Sequence, residues 1–148
     1  MWLSSILLAR IESRSGNLQA AEKLFASSLS QSSSPEIIYE HMGQSYSEHK
    51  DWAQALSAFK KAQDLSGNSI GNHDQYRLAM AKNGQLNTIL KSESSENIAR
   101  LYRNLGEHEL NAGNKLKAVE NLKKAQVNFS RHDEKTDQLM HRAINLPG

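Results

Sequence analysis

Cysteine is absent from the 148 residues of this chain, which excludes disulfide bonds and thiolate catalysis and leaves the redox compartment open. Only two prolines occur, and no stretch alternates apolar and polar residues over a useful length, so the sequence predicts an all-α fold. Positive and negative charges nearly balance at a formal net charge of +2. That balance argues against a dominant electrostatic role with nucleic acid or an anionic membrane.

The most informative feature that is present is a repeat of 34 residues. The alanine and phenylalanine of the first segment return one period later, where Ala21 and Phe25 are matched by Ala55 and Phe59; the turn residue Gly16 recurs as Lys50. The spacing returns near Ala118 and Leu122. A fixed period of this length is typical of stacked helical hairpins, because each hairpin presents equivalent residues to its neighbours.

Residues 36–69 contain the fullest version of the repeat. An aromatic residue, an apolar residue, glycine, tyrosine, alanine and phenylalanine stand at fixed offsets, as Tyr39, Met42, Gly43, Tyr46, Ala55 and Phe59. This spacing resembles the tetratricopeptide repeat family, and the resemblance extends over about 130 residues. The flanking repeats match in part, since Ser5, Glu12 and Glu109 stand where the family has aromatic residues.

The resemblance implies a right-handed superhelix of antiparallel helical hairpins, a tetratricopeptide-like solenoid formed as a single domain over residues 1–148. Its segments are repeats at about 2–35, 36–69, 70–97 and 99–132, followed by a C-terminal capping helix at about 133–145. The third repeat is irregular, because Gly113 follows Gly84 by 29 residues instead of 34. The serine-rich stretch 91–96 therefore predicts a shortened helix and a loop; the alternative is a local widening that shapes a binding site.

Four positions predict tight turns between paired helices. Each has a residue placed for the left-handed conformation, followed in three cases by Asn or Asp at the N-cap: Gly16-Asn17, Lys50-Asp51, Gly84-Gln85 and Gly113-Asn114. Small residues at Ala9, Gly43 and Gly106 are expected to let the paired helices approach closely. Larger residues at Phe25, Phe59 and Leu122 are expected to fill the space between neighbouring hairpins.

The two ends of the chain have predictions of their own. The apolar start, residues 1–8, lacks a basic segment and a small-x-small cleavage site, so it predicts a first helix, with Leu8 in the repeat, rather than a signal peptide or a membrane insertion. That helix would expose Trp2, Leu3 and Leu7, through which two copies could associate as a homo-oligomer. The C-terminal helix has its apolar residues at Leu139, Met140, Ala143 and Ile144.

The sequence contains no complete motif for catalysis, metal binding or phosphate binding. His108-Glu109 begins like a zinc-protease helix, but Ala112 stands where the second histidine is required. No glycine-rich loop precedes a Lys-Ser or Lys-Thr pair, as a phosphate-binding loop would require. A solvated outer face, rather than a nucleic-acid site, is favoured for the basic cluster Lys115, Lys117, Lys123 and Lys124. We therefore expect no enzyme activity, no metal and no cofactor.

The resemblance also implies where a partner would bind, since in this family the first helix of each hairpin lines a concave groove. The groove residues implied here are Ile6, Arg10, Arg14, Glu40, Gln44, Glu48, Asp74, Leu78, Lys82, Arg100, Arg103, Glu107 and Leu110. Their charge alternates along the chain and would suit a peptide or partner helix of alternating charge; alternatively, they are simply polar, solvent-facing positions. The sequence predicts a non-enzymatic protein-interaction module or scaffold in a larger assembly. The alternative is a ligand- or peptide-sensing regulatory domain coupled to an output domain outside this chain.

Overall fold

The computed structural model of the protein describes residues 2–67 and 70–148, with the backbone alone for residues 70–72. All regular secondary structure in these residues is helical, which confirms the all-α class. The helices are α1 Trp2–Arg14, α2 Leu18–Gln31, α3 Pro35–Glu48, α4 Trp52–Ser66, α5 Ile70–Met80, α6 Leu86–Ser92, α7 Ser95–Asn111, α8 Lys115–Asn128 and α9 Glu134–Ile144. The predicted end of the second repeat, Ser69, lies outside the described residues. The chain forms two compact units, the N-terminal unit Met1–Gly84 and the C-terminal unit Gln85–Gly148.

Three hairpins, α1–α2, α3–α4 and α7–α8, close through the same turn. A residue just past the first helix is left-handed, with a φ of 88° at Gly16, 60° at Lys50 and 79° at Gly113. The next backbone N–H then donates to the carbonyl five residues earlier, at 2.8 or 2.9 Å in each turn. This is the helix-ending pattern that glycine favours, and Lys50 adopts it at a cost of about 1 kcal/mol. The predicted turns at these three positions are confirmed.

The side chains that follow these turns have two different roles. Asp51 caps α4, because its Oδ1 accepts from a backbone N–H of the first turn at 3.3 Å. Asn17 and Asn114 occupy the same position, but their side chains donate backwards to Glu12 and Glu109, at 2.8 and 2.7 Å. All three residues stand at the N-cap, as predicted, but only the side chain of Asp51 accepts a hydrogen bond there. Glu12 and Glu109 therefore hold the turn in place by accepting these hydrogen bonds.

The core of the N-terminal unit lies between successive helices. Ala21, Phe25 and Ile38 are buried together where α1 and α2 meet α3. Phe59 and Ala79 are buried together where α4 meets α5. Burying a large apolar side chain contributes about 1.5–3 kcal/mol, so each hairpin gains stability from the helix that follows it. The predicted burial of both phenylalanines is confirmed.

Two glycines allow the paired helices to approach closely. A Cβ atom added at Gly43 would lie 2.5 Å from the ring of Phe59, and one added at Gly106 would lie 2.6 Å from Cγ of Leu122. Both distances are far below van der Waals contact, so even a methyl group would displace the neighbouring side chain. The predicted requirement for a small residue at these two positions is confirmed.

The inward face of α1 differs from the prediction. Ile6, placed in the groove by the family pattern, is fully buried, whereas Leu8, expected inside the first repeat, is 46% exposed. The buried face consists of Ile6, Ala9 and Ser13, which share one side of the helix. Because apolar residues occur all around α1, their periodicity did not identify the side that packs.

The third repeat has the irregularity that the sequence predicted. α5 ends at Met80, and within Ala81–Gln85 the chain kinks at Asn83 and Gly84, whose backbone is non-helical; Gly84 has a φ of 86°. α6 is only seven residues long. It ends before Ser94, whose Oγ caps α7 by accepting from the backbone N–H of Asn97 at 3.2 Å. The prediction of a shortened helix followed by a break is confirmed.

In the C-terminal unit, α9 packs against α7 and α8. Leu139, Met140 and Ala143 of α9 are buried against Leu110 of α7 and the inner side of α8. The predicted C-terminal helix is therefore present, and its apolar face lies as expected except at Ile144, which is 55% exposed. Ile144 is the last residue of α9.

Candidate interaction surface

Five side chains assigned to the groove lie on one face of the N-terminal unit. Arg10 and Arg14 come from α1, and Glu40, Gln44 and Glu48 come from α3; we call this set the α1–α3 face. Arg10 meets Gln44, and Arg14 meets Glu48, each 34 residues later in the sequence. The separation equals the repeat period, so the repeat brings equivalent positions of successive first helices into contact.

Hydrogen bonds join four of these side chains. Arg10 donates from Nη1 to Oε1 of Gln44 at 2.7 Å and pairs through Nη2 with Glu48. Arg14 donates from Nε to the other carboxylate oxygen of Glu48 at 2.8 Å. The same Nη1 of Arg10 lies 3.0 Å from Nδ1 of His41. One carboxylate thus receives both arginines.

Arg10 is a link within the chain rather than a group available to a partner. Its side chain is 12% exposed, and both of its terminal nitrogens have partners on α3. Burial and the charge of Arg10 lower the pKa of His41, so its neutral imidazole can accept a hydrogen bond at neutral pH. Burial would raise the pKa of Glu48, but the bonds from Arg14 and Arg10 outweigh it and hold that pKa below its usual value.

Glu40 and Arg14 retain the capacity to bind a partner. Arg14 is 62% exposed, and Nε is the atom that it directs at Glu48. Burial raises the pKa of Glu40, and no residue that the structure describes forms an ion pair with it. A partly buried carboxylate without a cation is unfavourable, because it has lost water without gaining a partner. An incoming ammonium or guanidinium group would relieve that cost.

Four further groove residues lie outside the α1–α3 face. Asp74 forms an ion pair with Arg77 one turn along α5, at 3.2 Å. Leu78 of α5 and Lys82, just after α5, are half-buried. In the C-terminal unit, Arg100 donates from Nη2 to Oδ1 of Asn97 in the same helix at 2.5 Å. Asp74 and Arg100 are thus both bound by residues of their own helices.

The remaining predicted groove residues of α7 contact other parts of the same chain. Arg103 lies 3.3 Å from Asp133 just before α9, and Glu107 lies 3.7 Å from Lys135 in α9. The beginning of α9 therefore covers a part of α7 that was expected to meet a partner. Leu110 is 5% exposed and belongs to the core, so its predicted place on the surface is wrong, as it is for Ile6.

Asp133 is an important residue that the sequence did not single out. It accepts from the backbone N–H and Oγ1 of Thr136, at 2.9 and 2.5 Å, and so caps α9. Burial would raise the pKa of Asp133, but the bonds from Thr136, and then Arg103, hold it below its usual value. The Asp-x-x-Thr spacing could have identified the cap. The pairing with Arg103, 30 residues earlier, has no local signal.

An apolar stripe runs along the outer side of α1. Leu3, Leu7 and Ile11 are spaced four residues apart and are 50%, 58% and 58% exposed. Trp2, expected in the same surface, is half-buried and packs on the core instead. Two of the three side chains predicted for self-association are therefore accessible.

The described ranges, 2–67 and 70–148, also bear on metal binding and on membrane insertion. No group of three His, Cys, Asp or Glu side chains there could hold a metal ion. Within the same ranges, every helix is too short or too polar to cross a membrane. No protein-family model, curated protein or solved structure matches this chain.

Proposed function

We propose that this protein is a non-catalytic interaction module that binds a peptide or a partner helix on the α1–α3 face. The observation that supports this most is Glu40, a carboxylate with a raised pKa and no cationic partner in the described residues. It lies one turn before Gln44, beside a network that fixes the neighbouring side chains. A rigid surface with one unsatisfied charge favours binding, because little side-chain entropy is lost when a partner arrives.

The charges also indicate the kind of partner. Arg14 is held at Glu48, eight residues after Glu40 on the same helix, which corresponds to about 12 Å along α3. A partner with a basic group for Glu40 and an acidic group for Arg14 at that spacing would satisfy both. Two turns of a helix, or about four residues of extended chain, span this distance. A partner with these two charges exchanged would bring an acidic group to Glu40 and a basic group to Arg14, and it is expected not to bind.

We also infer that the hairpins belong to a tetratricopeptide-like array. The inference is supported by the shared turn of three hairpins and by the glycines at equivalent positions of α3 and α7. The right-handed superhelix remains a prediction. Small-angle X-ray scattering of the full chain would test it, since an extended array and a folded-back pair of units give different distance distributions.

Affinity capture with charge variants tests the proposed surface. The immobilised wild-type chain, Glu40→Lys and Asp64→Lys are compared; Asp64 is an exposed carboxylate of α4, so both variants change the net charge equally. Retention of the same protein by wild type and Asp64→Lys, with its loss by Glu40→Lys, is the expected result. Equal retention by all three would place the binding surface elsewhere. Tryptophan fluorescence first verifies that each variant is folded.

A further inference from the structure

A cavity of about 130 Å³ lies in the N-terminal unit between the turn ends of its first two hairpins. Its apolar lining includes Ala21 and Phe25 of α2 and Met42 of α3. Ala21 and Phe25 are almost fully buried, so they form an apolar floor. The cavity involves none of the five side chains of the α1–α3 face.

The polar lining of this cavity is rich in acceptors. Glu22 and Asp51 contribute carboxylates, and no lysine or arginine is among the lining residues in the described part of the chain. One oxygen of Asp51 accepts the capping hydrogen bond of α4. Burial, followed by the charges of Glu22 and Asp51, raises the pKa of Tyr46, which also lines the cavity. Both carboxylates therefore act on the same phenol, and the local potential is negative.

Ser45 supplies an independent sign that something binds here. It lines the cavity and is 5% exposed, yet its Oγ has no hydrogen-bond partner among the described residues. A buried hydroxyl without a partner is unfavourable and is rare in folded proteins. The neighbouring His49 does not satisfy it, because Nε2 of His49 lies 2.7 Å from the carbonyl oxygen of Ser13.

We propose that this cavity binds an alkylammonium group. The apolar stem lies against Phe25 and Met42, and the ammonium group is placed among the carboxylates of Glu22 and Asp51 and the hydroxyl of Ser45. An ammonium group has three donors and no acceptor, which suits an acceptor-rich site. Tyr46, which also lines the cavity, is an aromatic residue of the kind that attracts cations. The ligand is either a free aliphatic amine or a lysine side chain of a partner, and this inference does not depend on the function proposed for the α1–α3 face.

NMR titration of the full chain with methyl-labelled methionine tests the proposal. The probes are n-pentylammonium chloride and n-pentanol, which have similar shapes and differ in charge. Pentylammonium should shift the Met42 methyl signal in a saturable way, with a dissociation constant on the order of 1 mM. Met140, buried in the C-terminal unit, should not respond. Equal binding of pentanol, or a Met42 signal that does not move, would overturn the proposal.

Matched variants identify the groups responsible. Glu22→Gln/Asp51→Asn should weaken pentylammonium binding about tenfold, since two nearby charges are removed while the asparagine retains the Oδ1 acceptor that caps α4. The control Asp64→Asn/Glu120→Gln changes the net charge equally at exposed sites and should bind like wild type. Ser45→Ala should weaken binding several-fold without lowering the stability of the fold. Unchanged affinity in both cavity variants would contradict the assignment.

A third probe separates the two sources of the ligand. Nα-acetyl-lysine N-methylamide presents the same ammonium group on a peptide unit. If it shifts Met42 as pentylammonium does, the cavity accepts a lysine side chain of a partner. If pentylammonium alone binds, the cavity selects a free amine, and the alkylammonium assignment still stands. Binding of neither compound would overturn it.

Discussion

Replacing Gly43 with alanine separates helix propensity from helix packing. Gly43→Ala should favour α3 by about 1 kcal/mol if the helix were isolated. In the folded hairpin, however, the new Cβ would lie 2.5, 2.6 and 2.8 Å from three ring atoms of Phe59. Phe59 is 1% exposed, so moving its ring towards solvent would itself cost apolar burial. Overpacking of this kind costs about 1–3 kcal/mol, and three close contacts place this site near the upper end. We expect a net destabilisation of about 1–2 kcal/mol.

Urea unfolding followed by tryptophan fluorescence measures this effect in the relevant unit, because Trp2 and Trp52 both belong to the N-terminal unit. The same substitution in a Phe59→Leu background should cost at least about 1 kcal/mol less, since the smaller side chain vacates the contact. A stabilising Gly43→Ala, or a double-mutant coupling below about 0.5 kcal/mol, would refute the close approach of α3 and α4.

Three other predictions concern the surface contacts. Arg103→Gln should destabilise the C-terminal unit by about 1 kcal/mol in chemical unfolding followed by circular dichroism, because it leaves the partly buried Asp133 without its cation. Lys135→Gln, at an exposed pair, should change stability by less than about 0.5 kcal/mol. The pKa of Asp133 is lower in the folded chain, so its stabilising effect is present above about pH 4 and is lost as the pH falls through the folded pKa. Asp133→Asn should therefore lose less stability than wild type between about pH 5 and pH 2. Equal slopes of stability against pH in the two proteins would contradict the bonds that Thr136 and Arg103 make to this carboxylate. If the apolar stripe of α1 mediates self-association, sedimentation velocity should show dimers whose fraction rises with concentration. Leu7→Gln should remove these dimers, and Leu116→Gln, at an exposed position of α8, should not. A monomer at every concentration would exclude self-association through the stripe.

The sequence was most informative where the structural signal is local. The turns at Gly16, Lys50 and Gly113 could be predicted because the left-handed residue and the following polar residue are adjacent in the chain. The close contacts of Gly43 and Gly106 could be predicted because each glycine stands at the same offset within its own repeat, 36–69 or 99–132. The irregular third repeat could be predicted because the period itself is broken.

Features that depend on how distant helices dock could not be predicted. α1 has apolar residues on all sides, so only its packing against α2 and α3 determines that Ile6 is buried and Leu7 exposed. Arginine is typical of surface positions, but in the folded chain Asp133, just before α9, lies against Arg103. Likewise, the sequence placed Arg10 and Glu48 in one groove without showing that they would bind each other.

Photo-crosslinking from a single position most directly tests whether the α1–α3 face binds a partner. A benzoylphenylalanine replaces Ser47, which lies on the same side of α3 as Glu40 and Gln44, or replaces the 84% exposed Val127 of α8 as a control. After irradiation in lysate, we expect one crosslinked protein from position 47, its loss in the Glu40→Lys background, and no specific product from position 127. A product from position 127 alone, or one from position 47 that persists with Glu40→Lys, would contradict the proposed binding surface.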